Sequence, residues 1–408
     1  MKKIKIYLLG VFCSWLCQAS GQTVSLDSIL SAIEKNNPML KMYEEQINAV
    51  ENFSKGAKSW MAPTLSTGPW QTPYSMFNEG MWMFTGEQMI PNPAKQRANY
   101  FYMKGMGEVE QYGRNAKRNE LFALAKTNYY EWVILKKKYD NVLQIDSVLN
   151  YIFQVAKNRY TFNKEKLSNV LKTEAELYQI KNMQEMLVYE IQMRNIEINS
   201  LMNKNKSDRF EVDTTVLDKH YDNQESDSSA IANSRSDLKQ LDATIVLLKL
   251  QQDLEKTKRL PDFGISLSHM QSLGVMPNSY SAMGMVTVPI TPWASKEYKS
   301  NIKGIENNIR AIDYQREAML NETSGMIASI KTQIKSLRKQ IENYKINIIP
   351  TYYQSYQSAL LSYQQNNEDL FVVLDALRMY KMSNEEMYTI MNTIFQLQVQ
   401  YEKELEIR

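Results

Sequence analysis

The sequence predicts a mainly α-helical fold in which one unit occurs twice: a helix, a pair of strands and a long coiled-coil helical hairpin. The first observation is a repeat, since Pro63 and Pro91 recur as Pro261 and Pro289, each 198 residues later. The second is that each proline pair encloses a stretch rich in glycine, aromatic residues and methionine, and this stretch interrupts a helical pattern. The third is the unusual length of the helical patterns that follow. Together they indicate a tandem duplication of the whole unit.

The first 21 residues resemble a secretory signal peptide. Three lysines precede an apolar run at 6–16 that is too short to cross a bilayer, and small residues at 19–21 precede Gln22. Cys13 and Cys17 both lie in this segment, so cleavage leaves no disulfide and no thiolate chemistry. The alternative is that the signal is cleaved before Cys17 and that this cysteine carries a lipid. The net charge of the full chain is +3, and loss of the three lysines brings it to about zero, which gives nucleic-acid binding no support.

Long helices occupy most of the remaining chain. Patterns at about 93–160 and 166–202 predict one hairpin, and the second half repeats the arrangement. There Ile330, Ile334, Leu337 and Ile341 alternate spacings of four and three, which is typical of a coiled-coil seam. A helix of roughly 60 residues is on the order of 90 Å long. A conduit needs such length, whereas a compact domain does not.

The two inserts, 64–90 and 262–288, each predict a strand pair. In the second insert Phe263, Ile265 and Leu267 alternate with glycine and serine, so one face of the strand suits lipid and the other a lumen. No run of about 18 apolar residues follows the signal, which leaves β-strands or a periplasmic location for an exported chain. Four strands cannot close a barrel, and lipid does not tolerate open edges. Three copies would supply twelve strands.

The predicted organisation has four parts. They are a signal peptide at 1–21, a first repeat at 22–203, a polar connector at 204–234 and a second repeat at 235–408. The hairpin tips fall near 161–166 and 364–369, where Asn163 and Asn366 are suited to the left-handed conformation that ends a helix. Pro350 lies inside the second outgoing pattern and predicts a kink in a continuing helix.

Several short motifs follow one another in a set order with duplicated spacing. They are residues 26–30, Asn37-Pro38, Pro63, Leu260-Pro261, Val288-Pro289 and the tip segment 363–376. In this order they resemble the TolC-type outer-membrane efflux protein family over essentially the whole mature length. Residues 88–97 are similar to a Gln-x-x-Pro-x-Pro-Gly-Lys-Arg pattern of its heavy-metal branch, although Ala94 replaces the glycine and Gln96 precedes Arg97.

The resemblance implies a homotrimer in the outer membrane. Its twelve-stranded β-barrel would be continued by an α-helical tunnel into the periplasm, and its partners would be a periplasmic adaptor protein and an inner-membrane pump. The expected function is a passive exit duct for small molecules or metal ions. Two alternatives stay open: the exit duct of a type I protein secretion system, and a soluble periplasmic coiled-coil protein with a structural or adaptor role.

The resemblance also supplies candidate functional residues. At the closed end of such channels acidic side chains narrow the pore, and the matching positions here are Asp375 and Val372, of which the valine departs from the usual acid. Two interpretations of Asp375 are equally supported: a gate residue and an ordinary solvated aspartate of the helix. Residues at the two tips would meet the adaptor, unless they only shape the turns. They are Asn163, Lys164, Leu167, Asn366, Asn367 and Leu370.

No enzyme is predicted. The sequence contains no phosphate-binding glycine loop, no nucleophile–histidine pair and no zinc-type spacing around His220 or His269. No cofactor and no bound metal are therefore expected. Of the 24 methionines, ten cluster near the two inserts, where thioethers would suit Cu(I) or Ag(I). Apolar filling of a barrel wall is the favoured interpretation of these methionines.

Overall fold

The computed structural model describes residues 23–76, 79–215, 219, 221 and 228–408. The expected signal peptide, with Cys17, lies outside the described residues, as do His220 and much of the polar connector. The described chain forms two compact units. Of the described residues, one unit contains 23–31 and 128–215, and the other contains those within 32–127 and 219–408. The boundaries of the two sequence repeats stay predictions.

Helices make up most of the described chain. In chain order they are α1 Leu26–Asn36, α2 Pro38–Gly56, α3 Pro93–Thr161, α4 Leu167–Leu201, α5 Ser228–Ser234, α6 Ser236–Thr257, α7 Pro292–Asn343, α8 Ile349–Gln364 and α9 Leu370–Glu404. The strands are β1 Thr23–Val24, β2 Thr64–Trp70, β3 Met81–Ile90, β4 Glu211–Val212, β5 Phe263–Ser272 and β6 Ser279–Val286. None of the helices in this part of the chain combines the length and hydropathy needed to cross a membrane.

Local sequence explains where several helices begin. Proline stands at the start of α2 and α7, where its missing N–H costs no hydrogen bond. The Asn37 side chain accepts a 2.9 Å bond from the N–H of Met39 and caps α2. At α1 the hydroxyl of Ser25, the residue before the helix, accepts a 3.4 Å bond from the N–H of Ser28.

The heptad stripe of α7 forms the core of the larger unit. Ile327, Ile330 and Ile334 are buried and pack in one cluster with Leu238 of α6 and Tyr401 of α9. The coiled-coil interpretation of this stripe is confirmed, because α7 packs along both α6 and α9. Burial of this apolar seam holds a helix of 52 residues in place.

The helix continues through Pro350, as the sequence predicts, by way of a π-helical segment, Tyr344–Ile348. The N–H of Ile349 bonds to the carbonyl of Tyr344, five residues earlier. A proline in a regular helix clashes with the carbonyl four residues before it, here that of Ile346. The wider π turn contains Ile346 and so accommodates the ring.

The larger unit also contains a four-stranded antiparallel sheet in the order β2-β3-β5-β6. Each of the two inserts, 64–90 and 262–288, contains a pair of strands, as the sequence predicts. The central pair, β3 with β5, joins the first insert to the second, in a register that runs from Met81 opposite Ser272 to Ile90 opposite Phe263. Two sequence stretches almost 200 residues apart thus become one continuous surface.

The smaller unit is organised around the middle of the first hairpin. Trp132 of α3 is buried with its ring centroid 5.0 Å from that of Phe210. The hydroxyl of Tyr129 donates to the carbonyl oxygen of Asp213 at 3.1 Å. A short parallel pair, β1 with β4, completes the unit.

Candidate functional site

The two faces of the sheet differ in chemistry. On β5 the side chains of Phe263, Ile265 and Leu267 are exposed, whereas the alternate residues Ser266 and Ser268 are buried. The hydroxyls of Thr85 and Ser268 lie 2.9 Å apart across the central strand pair. The alternation predicted for β5 is therefore confirmed, with one apolar face and one face that carries hydroxyl groups.

The outer strands of this sheet have open edges. Strands β2 and β6 each pair with a single neighbour in the described sheet, so each leaves one row of backbone N–H and carbonyl groups without a strand partner. Leu65 on β2 and Tyr280 and Val286 on β6 are exposed beside those edges. An apolar strand with an open edge is a template for pairing with another chain.

A polar junction connects the sheet to the long helix α3. Asp262, just before β5, accepts a 2.6 Å bond from the Lys95 ammonium and a 3.3 Å bond from the N–H of Asn92. The Asn92 side chain donates to the carbonyl of Pro261 at 3.1 Å. Asn92 and Lys95 belong to residues 88–97, the segment that is similar to the heavy-metal branch pattern. Their contacts help to position β5 against the start of α3.

The second hairpin tip, between α8 and α9, is closed by Asn366. This residue has φ 65°, and the N–H of Asn367 bonds to the carbonyl of Ser362 at 2.9 Å. The Asp369 carboxylate then accepts the N–H of Phe371 at 2.8 Å and caps α9. Asn366 and Asn367 are exposed, but Leu370 is completely buried. Leu370 is therefore not part of the accessible surface of this chain at the second tip.

The first hairpin tip, between α3 and α4, uses the same backbone. Asn163 has φ 55°, and the N–H of Lys164 bonds to the carbonyl of Arg159 at 2.9 Å. Both residues are exposed, and so is Leu167 at the start of α4. Lys166 precedes α4 and provides no side-chain cap. The three first-tip residues predicted from the sequence therefore form one accessible surface.

The two candidate gate residues lie on one face of α9, three residues apart. Val372 is exposed and Asp375 is half-buried. The described part of the chain supplies no ion-pair partner for the Asp375 carboxylate. Met379 and Met382 continue the same exposed stripe. One chain can therefore offer a carboxylate on this stripe, and a ring of carboxylates requires further copies.

The structure contains a buried ionic cluster that was not predicted from the sequence. Glu402 of α9 is 2% exposed and Lys126 of α3 is 4% exposed, and their charged groups lie 2.5 Å apart. The second carboxylate oxygen of Glu402 accepts the Lys219 ammonium at 2.7 Å and the Tyr221 hydroxyl. Burial by itself raises the pKa of Glu402, but the hydrogen bonds from these three residues lower it below the ordinary glutamate value.

The sequence contains only a weak indication of this ionic cluster. Lys126 follows the apolar run 121–125, where a charge on the buried stripe of a helix demands a partner. That partner is 276 residues away, which no spacing rule reveals. Among the described residues, no group of three or more histidine, cysteine, aspartate or glutamate side chains is placed to hold a metal ion.

Comparison with known proteins finds likeness in fold and not in sequence. No protein-family model matches the chain, and no curated protein matches it significantly. Among solved structures, the outer membrane protein VceC from Vibrio cholerae aligns with a TM-score of 0.74 at 15% identity, over 93% of this chain and 95% of that one. The CmeC outer membrane channel of Campylobacter jejuni aligns at 0.75 and 15% identity, over 93% and 85%.

A third structure, the open state of the MtrE outer membrane channel of Neisseria gonorrhoeae, aligns with a TM-score of 0.72 at 12% identity. That alignment covers 93% of this chain and 88% of the other. The chain therefore has the fold of outer-membrane channels along nearly its whole length. At these identities the likeness establishes the fold alone.

Proposed function

We propose that this chain is the outer-membrane exit channel of a tripartite efflux system. It passes small molecules or metal ions that an inner-membrane pump delivers through a periplasmic adaptor. One observation carries the proposal: the four-stranded sheet has an apolar exposed face, a hydroxyl-bearing opposite face and two open edges, in a chain with an outer-membrane channel fold.

The open edges support a homotrimer. In hydrocarbon an unpaired backbone N–H or carbonyl costs several kcal/mol, so β2 of one copy has to pair with β6 of another. Three four-stranded sheets then close a twelve-stranded barrel. In that barrel Phe263, Ile265 and Leu267 face lipid, the serine-bearing face lines a lumen, and the helices extend the conduit into the periplasm.

The hairpin tips are the proposed surfaces for the adaptor. Asn163, Lys164 and Leu167 form the accessible surface of the first tip, and Asn366 and Asn367 form that of the second. Exposed amide and ammonium groups around a short apolar side chain suit a polar interface with an apolar centre. Leu370 is fully buried at the start of α9, so it supports the shape of the second tip and is not part of its accessible surface.

Asp375 is the proposed gate residue. Three copies would place three carboxylates around the pore, one turn of α9 from three Val372 side chains, and such a ring favours cations over anions. The Asp375→Asn variant is expected to lower the preference for K⁺ over Cl⁻ in planar bilayers. Asp313→Asn, an exposed aspartate of α7, removes the same charge elsewhere and serves as the matched control. Equal selectivity in both variants would remove Asp375 from the gate.

The channel itself is tested by extraction, mass and conduction. Full-length protein expressed with its signal should require detergent for release from outer membranes, have the mass of three chains by native mass spectrometry and conduct ions in planar bilayers. Release as a water-soluble protein that never conducts would refute the proposal. It would favour the periplasmic coiled-coil alternative instead.

A further inference from the structure

We propose that the hydroxyl-bearing face of the sheet binds soft monovalent cations, Cu(I) or Ag(I), through methionine thioethers. The principal site consists of Met81, Met270 and Ser279. This inference deepens the proposed function, on which it rests for the statement that this face lines a lumen. The binding itself requires only groups of a single chain.

The strand register places the methionines on one face. Residues directly opposite each other on neighbouring strands share a face, and so do alternate residues of one strand. By this rule all the methionines of the four strands lie on the face of Ser266 and Ser268. They are Met81, Met83 and Met89 of β3, Met270 of β5, and Met283 and Met285 of β6.

The placement is one-sided. The apolar face, which has Phe263, Ile265 and Leu267 at its centre, contains no methionine in these strands. All six thioethers therefore lie on the face that also carries hydroxyl groups, where sulfur and oxygen ligands can act together. The methionines share this face with serine and threonine hydroxyls and with Glu87, whose carboxylate can attract cations.

The principal site is already assembled. The hydroxyl oxygen of Ser279 lies 3.7 Å from the sulfur of Met81 and 3.5 Å from the sulfur of Met270. Met83 stands directly opposite Met270 in the register, on the same face. Met81, Met83 and Met270 are all half-buried, so they are held by the sheet and remain reachable. Two or three sulfurs around one small volume suit a soft d¹⁰ cation.

A second thioether group lies toward the other end of the strands. A Cβ added at Gly264 would lie 2.6 Å from the sulfur of Met89 and 3.1 Å from the terminal carbon of Met285. The missing side chain of Gly264 therefore leaves the space in which these two methionines converge. Gly264 and Met270 are six positions apart on β5, a distance of roughly 20 Å along a strand. Met283, opposite Ser266, lies between the two groups.

The arrangement forms a row of weak sites along the sheet. A conduit needs sites that bind an ion well enough to admit it and loosely enough to release it to the next one. Neutral thioethers bind Cu(I) and Ag(I) without the high charge of thiolates, and they discriminate against hard ions such as Mg²⁺. The inferred ligand class is therefore soft monovalent metal ions.

The test uses the full-length protein in detergent and Ag⁺ in chloride-free buffer, measured by isothermal titration calorimetry. We expect the double variant Met81→Leu/Met270→Leu to weaken Ag⁺ binding by at least about tenfold, since loss of even secondary metal contacts costs that much. Leucine keeps the apolar volume, so simple packing would be preserved. The matched control is Met39→Leu/Met42→Leu, two exposed methionines of α2, and should bind as the wild type does.

K⁺ conductance of the same proteins separates the two proposals. Wild type that conducts K⁺ but binds no Ag⁺, or a double variant that binds as many Ag⁺ ions per chain as wild type and with the same affinity, overturns the principal thioether site and leaves the channel proposal intact. Ag⁺ binding that depends on Met81 and Met270 in a protein that never conducts supports the site and refutes the channel.

Discussion

The two hairpin tips have the same backbone but differ in what lies beneath it. Asn163 and Asn366 both adopt the left-handed conformation, and the same type of hydrogen bond closes both turns. Leu167 after the first turn is 48% exposed, whereas Leu370 at the equivalent place is 0% exposed. Turn geometry therefore follows from local sequence, while burial depends on the neighbours that each hairpin acquires.

The other ends of the two hairpins show the same contrast. Asn203 after α4 and Glu406 after α9 both have positive φ, at 54° and 52°. The carbonyls that close these ends belong to Asn199 and Glu402, which are 203 residues apart and both buried. One position holds a neutral amide and the other a carboxylate, so only the position of Glu402 can neutralise a buried ammonium such as that of Lys126.

The largest effect is expected from removal of that carboxylate. Glu402→Gln leaves the buried Lys126 ammonium without its counter-ion, which costs about 3–5 kcal/mol. Hydrogen exchange should accelerate at the end of α9 and not at the end of α4. The double variant Lys126→Met/Glu402→Gln removes both charges and should recover much of the loss. A single variant as protected as wild type would contradict the prediction.

Acid should act on the same end of the molecule. Because the folded pKa of Glu402 is below the ordinary value of 4.5, its contribution to stability is fully present above that value. The contribution is lost as the pH falls below 4.5 and through the folded pKa. The Asn199 end has no carboxylate at this position and keeps its protection. Hydrogen exchange measured at pH 7 and pH 4 compares the two ends. An equal loss of amide protection at both ends would contradict the assignment of the acid sensitivity to Glu402.

A smaller effect separates the two tips. Leu370→Ala removes a fully buried side chain and should lower the free energy of unfolding by about 2–5 kcal/mol. Leu167→Ala removes a half-exposed side chain and should cost less than about 1 kcal/mol in the isolated protein. Thermal unfolding in detergent, followed by circular dichroism, measures both. Equal losses would mean that the two leucines have the same surroundings.

The smallest effect concerns the caps. Asp369→Ala removes the acceptor for the N–H of Phe371 and should cost about 1 kcal/mol. Lys166, at the equivalent position, has no capping bond to lose, so Lys166→Ala should be nearly neutral. Conversely, Lys166→Asp should stabilise the start of α4 by a similar amount. Exchange rates of the first amides of α4 and α9 report each change, and a loss in Lys166→Ala would contradict the comparison.

Much of the fold follows from local signals in the sequence. The ends of α3, the stripe of α7 and the passage of the helix through Pro350 agree with the sequence prediction, since each depends on residues a few positions apart. The end of α2 at Gly56 depends in contrast on residues that are distant in the sequence. There the carbonyls of Ala57 and Lys58 accept side-chain bonds from Asn99 and Gln96, which are about 40 residues away.

The candidate site was predictable to a smaller extent. The sequence places Val372 and Asp375 one helical turn apart on α9, and the structure agrees. Both tips were located because asparagine has a local reason to stand there. The burial of Leu370 was not predictable, because the same leucine at position 167 is exposed.

By itself the sequence determined the long helices, the four strands of the sheet and the two hairpin turns, because caps, periodicity and proline geometry act over a few residues. Only the tertiary structure decided that β3 pairs with β5, that the methionines share the serine face, and that Lys126 meets Glu402. Strand register and buried ion pairs are set by which distant segments exclude water together. No local sequence pattern specifies which distant segments pack together, because the stabilising free energy arises only when the whole molecule is packed.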